Sequence, residues 1–294
     1  MPTVVSPTRS KSVTAKQVAR ARLRVMWQQL QTATGTTLAS KTLHDLRIAC
    51  RRAEATLRLS GDVAHLRSCQ WLRKRLRTFR RGCNEARDDD VLLKWLKQQP
   101  DPDSTRPLQR EVARHRRDLL PQIIEQAQVL TRGKRFKQQT QKVLKSLGKA
   151  ERAQQTPQAL GKRLFAELQQ FVQALVTHSR DAASLHHMRI KAKRLRYSVE
   201  VVTEIWPDVD VTELQELLAA LQERLGRLHD DFVREQRLKE LLERLPRHSR
   251  PALPLNSERN QKRREQTAWK WWQTCPVERI LADATAEFVT LIRK

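Results

Sequence analysis

Apolar residues in this chain return every three or four positions, with lysine, arginine, glutamate and glutamine between them. That spacing puts one apolar stripe on an α-helix and departs from the strict alternation of a half-buried strand. The pattern predicts helices at roughly 14–33, 41–60, 63–82, 88–99, 104–130, 134–148, 158–178, 184–205, 210–227, 229–245 and 258–290, the last breaking at Pro276. A tail over 1–13, a polar stretch at 148–158, Pro207 and the segment 246–256 interrupt the pattern. The chain therefore divides into a tail (1–13), a first helical half (14–148), a linker (149–157) and a second helical half (158–294).

The halves are linked by an internal repeat. LHDLRIACRRAEATLRL begins at Leu43 and LHHMRIKAKRLRYSVEV at Leu185, 142 residues later (185 − 43). RDDDV begins at Arg87 and HDDFV at His229, again 142 residues apart (229 − 87). Two motifs in one register argue for a duplication, and so for two similar bundles about an approximate two-fold axis.

Wound as helices, the two signature segments share an unusual face. In the first, Leu43, Leu46, Cys50, Ala53 and Leu57 form one apolar arc; His44, Arg47, Arg51 and Arg58 lie beside it. Ile48, Ala55 and Leu59 close the far side, leaving Asp45, Ala49, Arg52 and Thr56 for the outer face. In the second, Leu185, Met188, Ala192, Leu195 and Val199 flank His186, Arg189, Lys193 and Arg196, with Ile190, Tyr197 and Val201 beyond. Packing both apolar flanks draws the cations inward, where unpaired charge is costly unless a water-filled cavity or an anion receives it. The plainer alternative is a solvated face with side chains snorkelling over their neighbours. His44 and His186 are expected in the first helical turn, after caps at Ser40 or Thr42 and at Ser184, where free N–H groups suit phosphate and acid strengthens binding.

Composition narrows the class. Seven glycines, one tyrosine and 5% aromatic residues disfavour a sheet protein, and the dominant residues are helix formers, giving an all-α protein. Lys plus Arg number 58 against 32 Asp plus Glu, a net charge of +26, so a polyanion is the expected partner. Cys50, Cys69, Cys83 and Cys275 show no paired framework and read as reduced thiols. With no apolar signal core and no membrane span, a cytoplasmic protein is expected.

LHDLRIACRR and LHHMRIKAKRLRY, each followed by (R/H)DD-V, resemble the CHAD domain, the conserved-histidine α-helical domain, over about residues 14–290. The resemblance implies a pair of four-helix-type bundles around a basic central channel that binds inorganic polyphosphate, with no catalytic role and no cofactor. It assigns His44, Arg47, Arg51 and Arg52, with His186, Arg189, Lys193 and Arg194, to the channel; the stripes add Arg58, Arg196 and the adjoining Tyr197. The helical wheel sets Arg52 and Arg194 away from the main stripe. Glu54 and Ala55, where the second copy has Arg196 and Tyr197, imply weaker binding by the first half. Asn84 replaces Gly226 at a position read as a left-handed helix end. Relatives often carry a CYTH triphosphate-tunnel domain with an E-x-E-x-K motif, which this sequence lacks. A place on polyphosphate granules follows as an expectation.

Other features are weighed against that picture. Asp88, Asp89 and Asp90, with Asp230 and Asp231, are expected to cap helices and to pair with the signature cations, in preference to holding a metal. Arg73, Arg77, Arg80 and Arg81, the row Arg110, Arg114 and Arg117, and the row Lys142, Lys145 and Lys149 read singly as solvated faces. Together they would widen the footprint for a long polymer. Trp269, Trp271 and Trp272 are expected to pack a terminal helix rather than stack on bases. Two alternatives remain at this point: nonspecific nucleic-acid binding through the net charge, and metal-dependent polyphosphate hydrolysis at the Asp pairs.

Overall fold

The computed structural model describes residues 13–35, 38–176, 182–244, 250–251, 253, 266 and 270–293. Nearly all of the tail, most of the 246–256 stretch and Trp269 lie outside the described residues, as do the side chains of His229 and Arg244. The described residues are helical, with no strand among them.

The helices are α1 (Ala15–Thr32), α2 (Ser40–Leu59), α3 (Leu66–Gly82), α4 (Asn84–Leu96), α5 (Arg106–Arg132), α6 (Lys134–Arg152), α7 (Thr156–Val176), α8 (Ala182–Ile205), α9 (Thr212–Arg244) and α10 (Val277–Arg293). A 3-10 turn, Ser60–Asp62, follows α2. Thr14 starts α1 with a capping box: its hydroxyl accepts from the Gln17 N–H, and the Gln17 side chain accepts from the Thr14 N–H at 2.8 Å.

Two expected breaks behave differently. The stretch 83–87, expected as a loop, is helical apart from Cys83, which keeps right-handed dihedrals (φ −84°, ψ −2°). The segments 210–227 and 229–245 merge into the single helix α9. No proline interrupts either stretch, and neither Asn84 nor Gly226 has a positive φ, so the expected left-handed helix end does not form. The connection between α6 and α7 is only 153–155, where Gln154 takes a positive φ of 54°.

Two apolar clusters hold the helices together. The first joins α1, α2, α3, α5 and α6 through Leu23, Met26, Leu46, Leu57, Leu76, Phe79, Val143 and Leu147. The second joins α7 to α10 through Leu164, Phe171, Leu195, Val202, Leu218 and Phe288, and it also takes in Ala15, Val18, Ala55 and Leu59 from α1 and α2. Gly161 permits close approach of α10 to α7, since a Cβ there would lie 3.0 Å from Ile292 Cγ1. A smaller cluster ties α4 and α5 to the end of α9 through Leu92, Leu108, Val112, Leu238 and Leu241. Helix α8 starts 142 residues after α2 (182 − 40), and α10 starts 143 after α6 (277 − 134).

Helix α2 is buried on more sides than its pattern predicts. Ala49 and Thr56, assigned to the outer face, are 5% and 1% exposed. The reason is that α1, α3, α4, α7 and α8 all pack against this helix. In α8 the difference runs the other way: Ile190, expected in an apolar flank, is exposed, while Tyr197 and Val201 enter the core.

Candidate cationic site between the signature helices

Helices α2 and α8 pack against each other and bring the two basic stripes together. Arg47 is buried; it donates to Asn84 Oδ1 at 2.6 Å and to the Arg80 carbonyl at 3.2 Å. Arg189 lies 3.5 Å from Asp230, and its Nε is buried with no hydrogen-bond partner. Arg51 and Lys193 are half-buried. Among the described residues neither makes a hydrogen bond or ion pair.

The electrostatics record how tightly these cations are gathered. Burial first, then the repulsion of Arg189 and Arg51, pulls the Lys193 ammonium down to about 7, with Asp230 opposing and Arg47 adding to the effect. Burial and then Arg51 lower Arg47 to about 10. Arg189 is lowered by burial and by Arg51 from the other helix, against Asp230 and Asp88. The influence of Arg47 and Arg51 on residues of α8 places the stripes in one shared field.

His44 and His186 sit on the exposed side of this cluster. Both are lowered, His44 by burial and then Arg87, His186 by burial and then Arg189 and Lys193. Their expected place in a first turn is not what forms. Helix α2 begins at Ser40 with Ala39 as N-cap and no side-chain cap, and α8 already includes Ala182. Each histidine is thus the fifth residue of its helix, past the free N–H groups. Ser40 instead accepts from Arg87 at 3.3 Å.

Several residues assigned to binding have structural work. Arg58 donates to Glu167 at 2.5 and 3.3 Å, to Ser198 Oγ at 2.7 Å and to the Arg194 carbonyl at 3.1 Å. Arg194 donates to the same Glu167 at 3.0 Å. Burial alone would raise the Glu167 carboxyl, but Arg58, Arg194 and Ser198 hold it below its ordinary value. Arg52 and Arg196 share Glu200, at 3.1 and 3.4 Å, and Arg196 also donates to Gln222 at 2.7 Å. Tyr197 is buried in the second core. A basic residue at helical spacing is drawn to the nearest sheltered carboxylate; Glu167 lies outside the paired motifs, while Glu200 lies within the second one.

The aspartates do not cap, and Asp89, Asp90 and Asp231 pair with basic residues outside the signature helices, while Asp230 pairs with the signature Arg189 as expected. Asp88, Asp89 and Asp90 lie inside α4, and Asp230 and Asp231 inside α9, because both helices start before them. Asp89 meets His115 at 2.6 Å and Asp90 meets Arg116 at 2.5 Å, both from α5. Asp231 pairs with Arg234. Asp88 is raised, by burial first, and lies in the fields of Arg47 and Asp230. Asp88, Asp89 and Asp230 line a cavity of about 320 Å³ with Glu85, His115, Arg234 and Arg237. Among the described residues no group of three His, Cys, Asp or Glu side chains is arranged to hold a metal ion. His115 and Arg116 were not singled out in the sequence, though each stands 26 positions after its aspartate partner.

The remaining candidates occupy the outer surface or the core. Arg110, Arg114 and Arg117 are exposed, as are Lys142, Lys145 and Lys149. Trp271 and Trp272 pack against the second core, and Arg224 lies 4.4 Å over the Trp271 ring. All four cysteines are free, and burial pushes Cys69 and Cys83 up to about 11. No described helix is long and apolar enough to cross a membrane.

Fold and site together define an all-α protein with a part-buried cationic centre between two signature helices. The chain belongs to the CHAD-domain family, whose model matches residues 17–239. That family is linked to polyphosphate binding in general. Two solved structures share the fold. The CHAD domain of the plant Ricinus communis is 21% identical, with a TM-score of 0.56 and 96% of each chain covered. PptA from Streptomyces chartreusis is 13% identical, with a TM-score of 0.52, covering 95% of this chain and 98% of its own. No curated protein matches the chain.

Proposed function

We propose that this protein binds inorganic polyphosphate at the cationic centre formed by His44, Arg47, Arg51, His186, Arg189 and Lys193. The observation that carries the reading is the state of Arg51 and Lys193. Two half-buried cations without a partner, next to an Arg189 Nε that is buried and unbonded, are costly in an empty site and suited to an incoming anion. A polyphosphate supplies oxygens along its whole length and needs no recognition of base or sugar.

In this reading the centre is a channel between two duplicated halves. The 142-residue recurrence of both motifs and the matching starts of α2 and α8 support the duplication. Binding is non-catalytic, and the protein acts in the cytoplasm on polyphosphate granules. The Asp carboxylates serve to hold cations in place, as their pairing with His115, Arg116, Arg189 and Arg234 suggests. Nucleic acid is the competing polyanion, bound only through net charge.

A competition assay tests this. Long-chain polyphosphate is set against double-stranded DNA and RNA, with Mg²⁺ present, for the natural protein and a variant with alanine at His44, Arg47, His186 and Arg189. The reading expects tight binding that DNA does not displace, lost in the variant, with no shortening of the polymer. Equal affinity for all three polymers, unchanged in the variant, would assign binding to the bulk charge of +26. Chain shortening that disappears on Asp88→Ala and Asp230→Ala would make the protein a hydrolase.

A further inference from the structure

A second group of arginines lies beyond the centre just described, and it draws on a helix outside the signature motifs. Helix α3 runs back along α2: Arg47, near the start of α2, reaches the Arg80 carbonyl at the end of α3. On α3, Arg73, Arg77 and Arg80 follow at i, i+4 and i+7, and so share one face. Arg80 pairs with Glu54 of α2 at 3.0 Å. Arg73, midway along α3, is lowered by burial first and then by the fields of Arg58, Arg77 and Arg194, against Glu54.

The balance of charge here is uneven. Five guanidiniums, those of Arg58, Arg73, Arg77, Arg80 and Arg194, face two carboxylates, Glu54 and Glu167. Glu167 is consumed by Arg58 and Arg194, and Glu54 by Arg80. Arg73, although half-buried, makes no hydrogen bond or ion pair among the described residues, and neither does the exposed Arg77. Arg73 therefore repeats the condition of Arg51 and Lys193.

Resting on the proposed polyphosphate reading, we infer that Arg73 and Arg77 form a second anion subsite, which the far end of a long linear polyphosphate occupies while its near part fills the α2/α8 centre. The two are joined through Arg80, whose backbone holds Arg47 and whose side chain continues the α3 row. At a rise of about 1.5 Å per residue, Arg77 and Arg73 lie roughly 5 and 10 Å along α3 from Arg80, whose carbonyl Arg47 reaches. A short chain fills only the first subsite; a long one reaches both, and the protein selects for length. Guanidiniums grip phosphate oxygens in pairs, so each added arginine contributes charge-assisted bonds.

The experiment measures affinity for tripolyphosphate and for long-chain polyphosphate at near-physiological salt. The natural protein is compared with Arg73→Gln/Arg77→Gln and, separately, with Arg47→Ala/Arg189→Ala. The expected result is a roughly tenfold loss for the long chain in the Gln pair, with tripolyphosphate binding unchanged. The slope of log affinity against log salt for the long chain falls by about one to two. The Ala pair weakens both ligands. Long-chain affinity unchanged in the Gln pair, or an equal loss for both ligands, would overturn the second subsite. No effect of the Ala pair on either ligand would instead overturn the proposed function itself. A melting curve accompanies each variant. Should the Gln pair not fold, Arg73→Lys/Arg77→Lys keeps the charge but loses the paired grip; it must still weaken the long chain alone, or the subsite is wrong.

Discussion

Anion capture by this protein should take up a proton, because of Lys193. In the free protein its ammonium is drawn down to about 7 by burial, by Arg189 and Arg51, and by Arg47, against Asp230. A polyphosphate in the centre supplies the counter-charge that is missing and returns the group toward its ordinary 10.5. Between those values the bound state holds a proton that the free state does not. Affinity then falls about tenfold per pH unit above 7, or about a hundredfold by pH 9. Lys193 adds no further dependence once the pH is well below 7. For the free protein the sign is fixed by the same shift. The unfolded chain binds more protons between about 7 and 10.5, so stability rises with pH across that window and the loss is complete below it. The assay is titration calorimetry at pH 8 in two buffers of different ionisation enthalpy, with long-chain polyphosphate so that end groups contribute little. The heat difference should give an uptake approaching one proton per bound segment. Lys193→Arg, whose guanidinium stays charged, should bind well at pH 9 and show no uptake. Zero uptake in the natural protein, or an unchanged pH slope in Lys193→Arg, would refute the reasoning.

Two further outcomes follow from the pairing. Glu167, with its side chain 2% exposed, holds Arg58 and Arg194, so Glu167→Ala leaves the largely buried Arg58 and the half-buried Arg194 without a counter-charge; urea unfolding should show a loss of about 3 kcal/mol, and a loss below about 1 kcal/mol would mean the arginines find other partners. Asp230→Asn releases Arg189 from its pair, so at pH 6 polyphosphate affinity should rise up to several-fold by fluorescence titration; a fall would mean that Asp230 orients Arg189 for the anion.

The helices and the register of the signature segments were legible because apolar spacing reports which face is buried, and a 142-residue offset is carried by side chains on that face. The convergence of Arg47, Arg51, Arg189 and Lys193 was legible for the same reason. The pattern could not say how many neighbours surround a helix. Thr56 looks like an outer residue until five helices close on α2, and Arg58 looks like a ligand until Glu167 arrives from 109 positions away. Helix continuity was equally hidden. Cys83 and Gly226 have no local feature that decides between a one-residue break and an unbroken α9, so the aspartates that looked like caps lie mid-helix.

Ala15, Val18, Ala55 and Leu59 sit in the apolar cluster of the opposite half, and Arg22 reaches Glu204 at 2.5 Å across the same boundary. Surfaces joined this way behave as one core and do not swing apart as domains on a hinge would. A polymer held between them therefore cannot be released by the halves parting. It must peel away one phosphate after another, so residence time should lengthen steadily with chain length while unfolding stays a single transition. Stopped-flow dissociation across a ladder of chain lengths would show this directly, and a residence time independent of length would point to a boundary that opens.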